Sequence, residues 1–418
     1  MSMHTHTRAV TCALVGTCAA ALAHAQGCYV PLTMPANTPT FEYQSQQAWD
    51  VSADGGVVVG QINYINPQTT LGGNRQVIWN ANNTITFLDQ TLPPSYIVRG
   101  VSGNGQWIVG EDQTLIRAFR WRIGSSGPES LYIVPGADTS ESTDVSFDGN
   151  TVVGISGNRP FRWTPQTGIV SLGTLPGATI CISAECSADG NVVVGTFYTP
   201  VPFTYIHFVW TAATGIQAVP TLTGTQSRIT RVSSDGVYVL TGDGYPLPGG
   251  LWNRTTGTLT PIVQGISNYW EANDLEPNAG ALAIAGRRLA GGTSIIVSHP
   301  TTGVVDAFQR AGVAPVAIAS VPVVMSNDAR TILATAANQR VFKICLPPWT
   351  AGNTCDSIDF NRDGLFPDGA DISAFLRVFS GSACPTSTCG DLDFNNDGVS
   401  PDTTDIDALL RVFSGGPC

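Results

Sequence analysis

The run DFNRDG begins at Asp359, and DFNNDG begins at Asp393. Oxygen donors at alternate positions, as in Asp359, Asn361 and Asp363 or Asp393, Asn395 and Asp397, converge on one hard cation when a glycine turns the chain sharply after them. Gly364 and Gly398 stand at that place. The next expected donors are the backbone carbonyls of Leu365 and Val399. Asp368 and Asp402 then follow, directly or through water, and Asp371 and Asp405 close the loops. The closing acids stand thirteenth in the loop, because Pro367 and Pro401 add a residue. The chemistry expected is the binding of two Ca2+ ions.

A second set of charged residues recurs far apart in sequence. Asp50, Asp144, Glu185, Arg231 and Asp274 each stand immediately before a copy of one short motif. Gathered around one channel, they could hold a cation or a sugar, with acid–base chemistry between carboxylates. Each could instead satisfy backbone donors at the start of a turn. No catalytic residue is assigned. Outside the first 25 residues the histidines are His207 and His299, in different repeat units, and no Gly-x-Ser-x-Gly elbow, phosphate loop or dinucleotide fingerprint occurs.

The elements that position these residues follow from composition and repetition. Only 12% of the 418 residues are charged, and Gly numbers 45. That balance points to short strands and tight turns. The net charge of −11 is concentrated in the tail: residues 352–418 carry 11 acidic and 3 basic side chains. Nothing forms a basic patch, so a nucleic-acid partner is not expected. Residues 1–25 read as a cleavable secretory signal, with an apolar run too short to span a bilayer and a small-x-small end at Ala23-His24-Ala25. A secreted or cell-surface protein with no transmembrane span is therefore expected. Eight cysteines remain after the signal, an even number that favours disulfides in an exported chain.

The motif VSADG at Val51 recurs as VSGNG at 101, VSFDG at 145, CSADG at 186 and VSSDG at 232, then in worn form as LEPNA at 275 and MSNDA at 325. Asp-Gly and Asn-Gly accept positive φ cheaply and turn the chain. A β-branched run follows each turn. A third run ends in Trp79, Trp121, Trp163, Trp210 or Trp252, and a fourth follows a second turn. No helical periodicity interrupts this body. Seven four-stranded units of about 46 residues predict a mainly β chain, with a seven-bladed β-propeller over 26–346. The recurring Trp is read as packing between blades. The array starts and stops part-way through a unit, so the strand near Tyr29–Leu32 should complete the last blade from outside. That puts Cys28 beside Cys345 as an expected disulfide. A local bridge between Cys181 and Cys186 is also expected. The phrasing RWTPQTGIVSLGTLPGA followed by VSADGNVVVG resembles the HAF-type repeats of exported bacterial proteins over roughly 28–345. That resemblance implies a propeller-like fold and carries over no catalytic residue.

After a linker at 347–354, residues 355–418 form two gapless halves. Behind each loop lies an amphipathic run: Ile372, Phe375, Leu376 and Phe379, then Ile406, Leu409, Leu410 and Phe413. Gly381 and Gly415 should stop the helices. Loop, helix and duplication together resemble a dockerin, most closely the GC-type with flanking cysteines. The resemblance implies attachment to a cohesin-like or other surface receptor. Ser373, Arg377, Asp407 and Arg411 are carried over by position as candidate contacts. Two similar halves packed about a pseudo-twofold axis would bring Cys355 to Cys418 and leave Cys384 to Cys389, an arrangement the family's outer-end cysteines suit. The alternative staples each half to itself.

The expected function is a secreted, non-catalytic binding or display propeller held by a calcium-dependent tail. The alternative is a dockerin-borne carbohydrate-active enzyme, a glycoside hydrolase or polysaccharide lyase. Polysaccharide is the candidate ligand in both. Each loop gathers several carboxylates whose repulsion opposes folding until a cation is present. Titration calorimetry on residues 350–418 should therefore show two Ca2+ sites, with Asp363→Ala and Asp397→Ala each removing one. Absence of binding would remove the two-loop reading.

Overall fold

The computed structural model describes residues 28–89, 91–201, 203–221, 230–241, 250–261, 270–278, 281–288, 295–299, 303–311, 314–316, 318, 324–346, 369–382, 392, 405–406 and 409–410. Two compact units are distinguished, with the chain from Trp349 onward in the second.

Each copy of the repeated motif links the first two strands of a four-stranded antiparallel sheet. The first sheet comprises β2 (Glu42–Val51), β3 (Val58–Ile65), β4 (Gly72–Trp79) and β5 (Ile85–Phe87). The second has β6 (Tyr96–Val101), β7 (Trp107–Asp112), β8 (Arg117–Arg122) and β9 (Glu129–Tyr132). The third has β10 (Ser140–Val145), β11 (Val152–Ser156), β12 (Arg159–Thr164) and β13 (Gly168–Ser171). In the fourth are β14 (Ile180–Cys186), β15 (Val192–Pro200), β16 (Phe203–Thr211) and β17 (Gly215–Ala218). The fifth contains β18 (Thr230–Val232), β19 (Tyr238–Thr241), β20 (Gly250–Asn253) and β21 (Leu259–Pro261). The sixth orders β22 (Trp270–Asn278), β23 (Ala281–Arg288), β24 (Ile295–His299) and β25 (Gly303–Asp306). The last joins β26 (Val324–Met325), β27 (Thr331–Thr335) and β28 (Val341–Cys345) to the N-terminal β1 (Cys28–Pro31).

The arrangement is that of a β-propeller. Against the seven blades expected, six sheets have all three ladders described; in the sheet β22–β25 only the β23–β24 register is described. Among the described residues of the body, a single helical turn, α1 (Ala307–Arg310), follows β25 and departs from the all-strand expectation.

The turn chemistry repeats in detail. Ser52 Oγ donates to Asp54 Oδ1 at 2.7 Å, and Asp54 Oδ1 accepts from Gly56 N at 2.8 Å. Val57 N donates to Ser52 Oγ at 2.9 Å. The same Ser-x-Asp or Ser-x-Asn bond recurs from Ser102, Ser146, Ser187, Ser233 and Ser326. Gly149 shows why the motif ends in glycine: its φ is 78°, and an added Cβ would lie 2.1 Å from the Trp107 ring of the preceding sheet. In MSNDA, Ala329 adopts φ 55° without a glycine's freedom. In LEPNA the serine is lost, and β22 runs on to Asn278.

Packing occurs between successive sheets. Val59 and Ile78 meet Val98, Ile108 and Phe119. Val109 and Ala118 meet Val145, Val152, Phe161 and Trp163. Val153 and Ile155 meet Ala184, Val193 and Phe208. Burial on both faces explains why the strands carry apolar runs rather than strict alternation. Trp79, Trp121 and Trp163 are buried on third strands, as packing requires.

The seam closes in the same manner. β1 pairs antiparallel with β28, with Cys28 opposite Cys345, and the two cysteines are disulfide-bonded. Leu32, Val51, Val58 and Trp79 share one core with Leu333 and Val341. Gln46, fully buried, donates from Nε2 to Thr33 O at 2.8 Å and accepts from Val341 N through Oε1 at 3.0 Å. Lys343 Nζ donates to Gly55 O at 2.6 Å. The local bridge expected between Cys181 and Cys186 does not form. Both lie on β14, five positions apart, so the extended strand separates them by roughly 16 Å, well beyond disulfide reach.

In the second unit, α2 (Gly369–Phe379) buries Ala374 and Phe375, while Leu376 is exposed. Gly381 ends it as expected. Its φ is 85°, Gly381 N donates to Val378 O, and Ser382 N donates to Arg377 O. Asp371 lies in α2. Asp405 is fully buried. The other proposed calcium donors, the cysteines at 355, 384, 389 and 418, Asp407, Arg411 and the signal segment lie outside the described residues.

Replacing Gln46 by Leu keeps its bulk but leaves the Val341 N–H unpaired, while the Thr33 carbonyl keeps its bond from Trp79 Nε1. Denaturant unfolding should show a loss of about 1–3 kcal/mol. The same exchange at the exposed Gln44 should stay within about 0.5 kcal/mol.

Candidate functional site

The first strands of the sheets converge on a cavity of about 460 Å3. Irregular pairing aims their side chains there. The ladders shift register between Ala48 and Asp50, between Val98 and Gly100, and between Ser142 and Asp144. Such bulges redirect side chains. Trp49 with Asp50, and Thr143 with Asp144, consequently reach the cavity as consecutive residues. The bulged backbone also explains the glycine that follows the second-strand apolar run in each of the first four sheets, Gly60, Gly110, Gly154 and Gly195. A Cβ on Gly154 would lie 2.0 Å from Glu141 O.

All five candidate channel residues, Asp50, Asp144, Glu185, Arg231 and Asp274, line this one cavity. The aspartates are not free acids on its wall. Asp50 accepts Val51 N on Oδ1 and Val101 N, from the next sheet, on Oδ2, both at 2.8 Å. Asp144 accepts Val145 N at 2.6 Å and Cys186 N at 2.8 Å. Asp274 accepts Leu275 N and Met325 N, each at 2.9 Å. Each carboxylate thus satisfies a local donor, as one reading of the sequence had it, and also ties its own sheet to the next. Glu185 and Arg231, at the same place in their sheets, form an ion pair. The second sheet has Gly100 there, against Asp50 Oδ2.

Polar and aromatic residues of the wall that sequence reasoning missed include Trp49, Arg99, Glu141 and Glu276. Glu276 had a signal, since it replaces the serine of the turn motif. It is buried, accepting Ser234 N on Oε2 at 3.1 Å and Asn327 Nδ2 on Oε1 at 2.8 Å, one from each neighbouring sheet. It thereby joins a belt of hydrogen bonds around the mouth. Ala53 N donates to Gly103 O, Asn104 N to Phe147 O, Phe147 N to Ala188 O, Ala188 N to Ser234 O, and Asp328 N to Ala53 O. Arg99 pairs with Glu111 at 3.1 Å.

Burial pushes the Asp50 carboxyl up to about 8, with the nearby charges of Asp144 and Asp274 adding to the rise. Burial also raises Asp144, Asp274, Glu141 and Glu276. His207 is absent from the cavity wall. It is buried on β16 beside Thr196, and desolvation lowers it to about 4. His299 falls on β24, its side chain outside the described set. Among the described residues no group of three or more His, Cys, Asp or Glu side chains is placed to hold a metal ion. No described helix is long and apolar enough to cross a membrane.

The chain is a β-propeller. Solved structures agree on this at the level of fold. An oligogalacturonate lyase in complex with manganese superposes with a TM-score of 0.52 and 12% identity, over 78% of this chain and 98% of that one. A catalytically inactive virginiamycin B lyase from Staphylococcus aureus with quinupristin gives 0.51 and 14%, over 77% and 100%. Selenomethionine-substituted virginiamycin B lyase from the same organism gives 0.50 and 16%, over 77% and 99%. No protein-family model matches the chain, and no curated protein sequence matches it.

An acid raised by folding binds its proton more tightly in the native state than in the unfolded one. Its stabilising contribution is complete below the unfolded value and is lost as pH rises through the folded value. For Asp50 the window runs from the ordinary 3.8 to about 8. The stability of the parent chain relative to Asp50→Asn should therefore fall between acid pH and pH 8. Thermal melts of both proteins across that range check it.

Proposed function

We propose that the chain is a secreted, non-catalytic binding or display protein. Seven blades form its closed propeller, and a calcium-dependent, dockerin-like tail holds it to an extracellular or cell-surface receptor of cohesin-like type. One observation carries the non-catalytic reading: Asp50, Asp144, Asp274 and Glu276 each spend both carboxylate oxygens on fixed donors of the protein. Glu185 is held by Arg231. Acid–base chemistry between carboxylates needs two of them at liberty to exchange protons with substrate, and among the described wall acids Glu141 alone has neither oxygen spent in this way. The roomy channel suits a ligand that is held rather than converted, and polysaccharide is the proposed class.

The seven-blade count is supported by the seven motif copies and by the belt of bonds that returns from Asp328 to Ala53. The attachment reading is supported by α2, where Ser373, Leu376 and Arg377 are all exposed at helical spacing. By their position Asp407 and Arg411 belong to the same proposed contact set. The metal reading rests on the twin loops, with two Ca2+ ions as cofactors. Several propellers of this fold are lyases, but a fold carries no chemistry by itself.

The test is a polysaccharide panel incubated with the mature chain in the presence of calcium. Two signals are read: retention on the polymer, and release of new reducing ends or unsaturated products. Retention without product is expected. Catalytic release of product would replace this reading with that of a carbohydrate-active enzyme.

A further inference from the structure

On the first sheet, a second cavity of about 100 Å3 opens between the β3–β4 hairpin and the segment leading from β5 to β6. Leu88 and Leu92, both buried, lie beneath it. Phe41, Tyr64 and Tyr96 supply its aromatic wall. Phe41 meets Tyr64 edge to face at 4.7 Å, and Tyr96 meets Phe119 in the same way at 5.0 Å. These rings are fixed by neighbours rather than by one another alone.

The polar atoms are oriented by a chain of hydrogen bonds that starts from the backbone. Val98 N–H can only donate, so Gln76 must present Oε1 to it, which it does at 3.2 Å. Gln76 therefore turns Nε2 towards Asn74 Oδ1, at 2.9 Å. Among the described residues this leaves Asn74 Nδ2, on an exposed side chain, as a donor without a partner. On the same wall, Asp89 spends Oδ2 on Arg75, whose Nε and Nη2 lie 2.7 and 2.6 Å away. Among the described residues nothing donates to Asp89 Oδ1. Arg75 is itself locked: its guanidinium lies 3.6 Å from the Phe87 ring centroid, and Nη1 donates to Tyr43 Oη at 2.7 Å.

The cavity thus offers a fixed donor, a fixed acceptor and aromatic surface, with its one carboxylate already paired to a cation. A charged ligand finds no unpaired counter-ion there. A sugar ring fits this set, because each hydroxyl both donates and accepts, and its C–H face packs on aromatic carbon. We infer that this pocket binds one residue of a neutral saccharide, with neighbouring hydroxyls on Asn74 Nδ2 and Asp89 Oδ1. The inference does not depend on the channel, and it stands whether or not the channel takes a ligand.

The probes are the methyl glycosides of glucose, mannose and galactose, titrated onto the full mature chain up to about 50 mM and followed by saturation-transfer NMR. At least one should bind with a millimolar Kd. Asn74→Ala should weaken it by about tenfold, the effect of one lost hydrogen bond, and the near-isosteric Asp89→Asn, which turns a donor to the sugar where a charged acceptor stood, should weaken it by about threefold. Thermal melts confirm that both variants are folded. Gln217→Ala, exposed on the outer strand β17, should leave the affinity unchanged, and Asp50→Asn in the channel is titrated alongside. Binding by none of the three glycosides, or equal binding by parent, Asn74→Ala and Asp89→Asn, would overturn the assignment. So would loss of binding in Asp50→Asn alone, which would locate the sugar in the channel.

Discussion

Every sheet of the propeller depends on the next one for the cover of its own face. Buried on both sides, a blade that stood alone would expose an apolar surface such as Val59, Ile78 and Val98 now hide between them. The carboxylates of Asp50, Asp144 and Asp274 make that dependence polar as well as apolar. Each reaches across to a backbone N–H of the following first strand, where an unpaired donor would be costly. The belt of turn-to-turn bonds does the same at the mouth, and Glu276 carries it past the place where the serine motif fails. Position, not sequence similarity, keeps that belt intact.

The channel's character follows from this work. Carboxylates recruited to hold backbone are poorly placed to move protons for a substrate, however strongly burial shifts their titration. They leave a wall that is polar, largely occupied with its own bonds and shaped by the bulges beneath it. The pocket on the first sheet differs in kind: its hydrogen-bond chain ends in atoms that no described residue uses.

Much of the fold was legible because its signals are local and repeated. Asp-Gly and Asn-Gly announced the turns, the spacing announced the units, and the half-unit at each end announced β1 beside β28. The five channel residues were legible for the same reason: they hold one place in successive copies. What could not be read was where a side chain goes once the strand bulges. Nothing in the neighbourhood of Asp50 names Val101 as its partner, because that contact is set by the angle between sheets. Cys181 and Cys186 mislead because closeness in sequence is not closeness in space when both lie along one extended strand. The sugar-sized pocket was hidden because Asn74 and Asp89 belong to one sheet only, and a feature present in a single copy has no periodicity to betray it.

The pairing of β1 with β28 sets a schedule for the chain. The first strand to be made has as its partner one of the last of the body, 317 residues away at the Cys28–Cys345 pair. Local hairpins such as β11–β12 can form as soon as their few residues are available, whereas the ring waits for its final strand. Contacts at such separation are reached late, after a long loop has been closed at an entropic cost. Until then β28 has a bare edge, and the valines and tryptophan beside the seam lack cover. The interval before closure is when this protein is most exposed to pairing with a strand that is not its own.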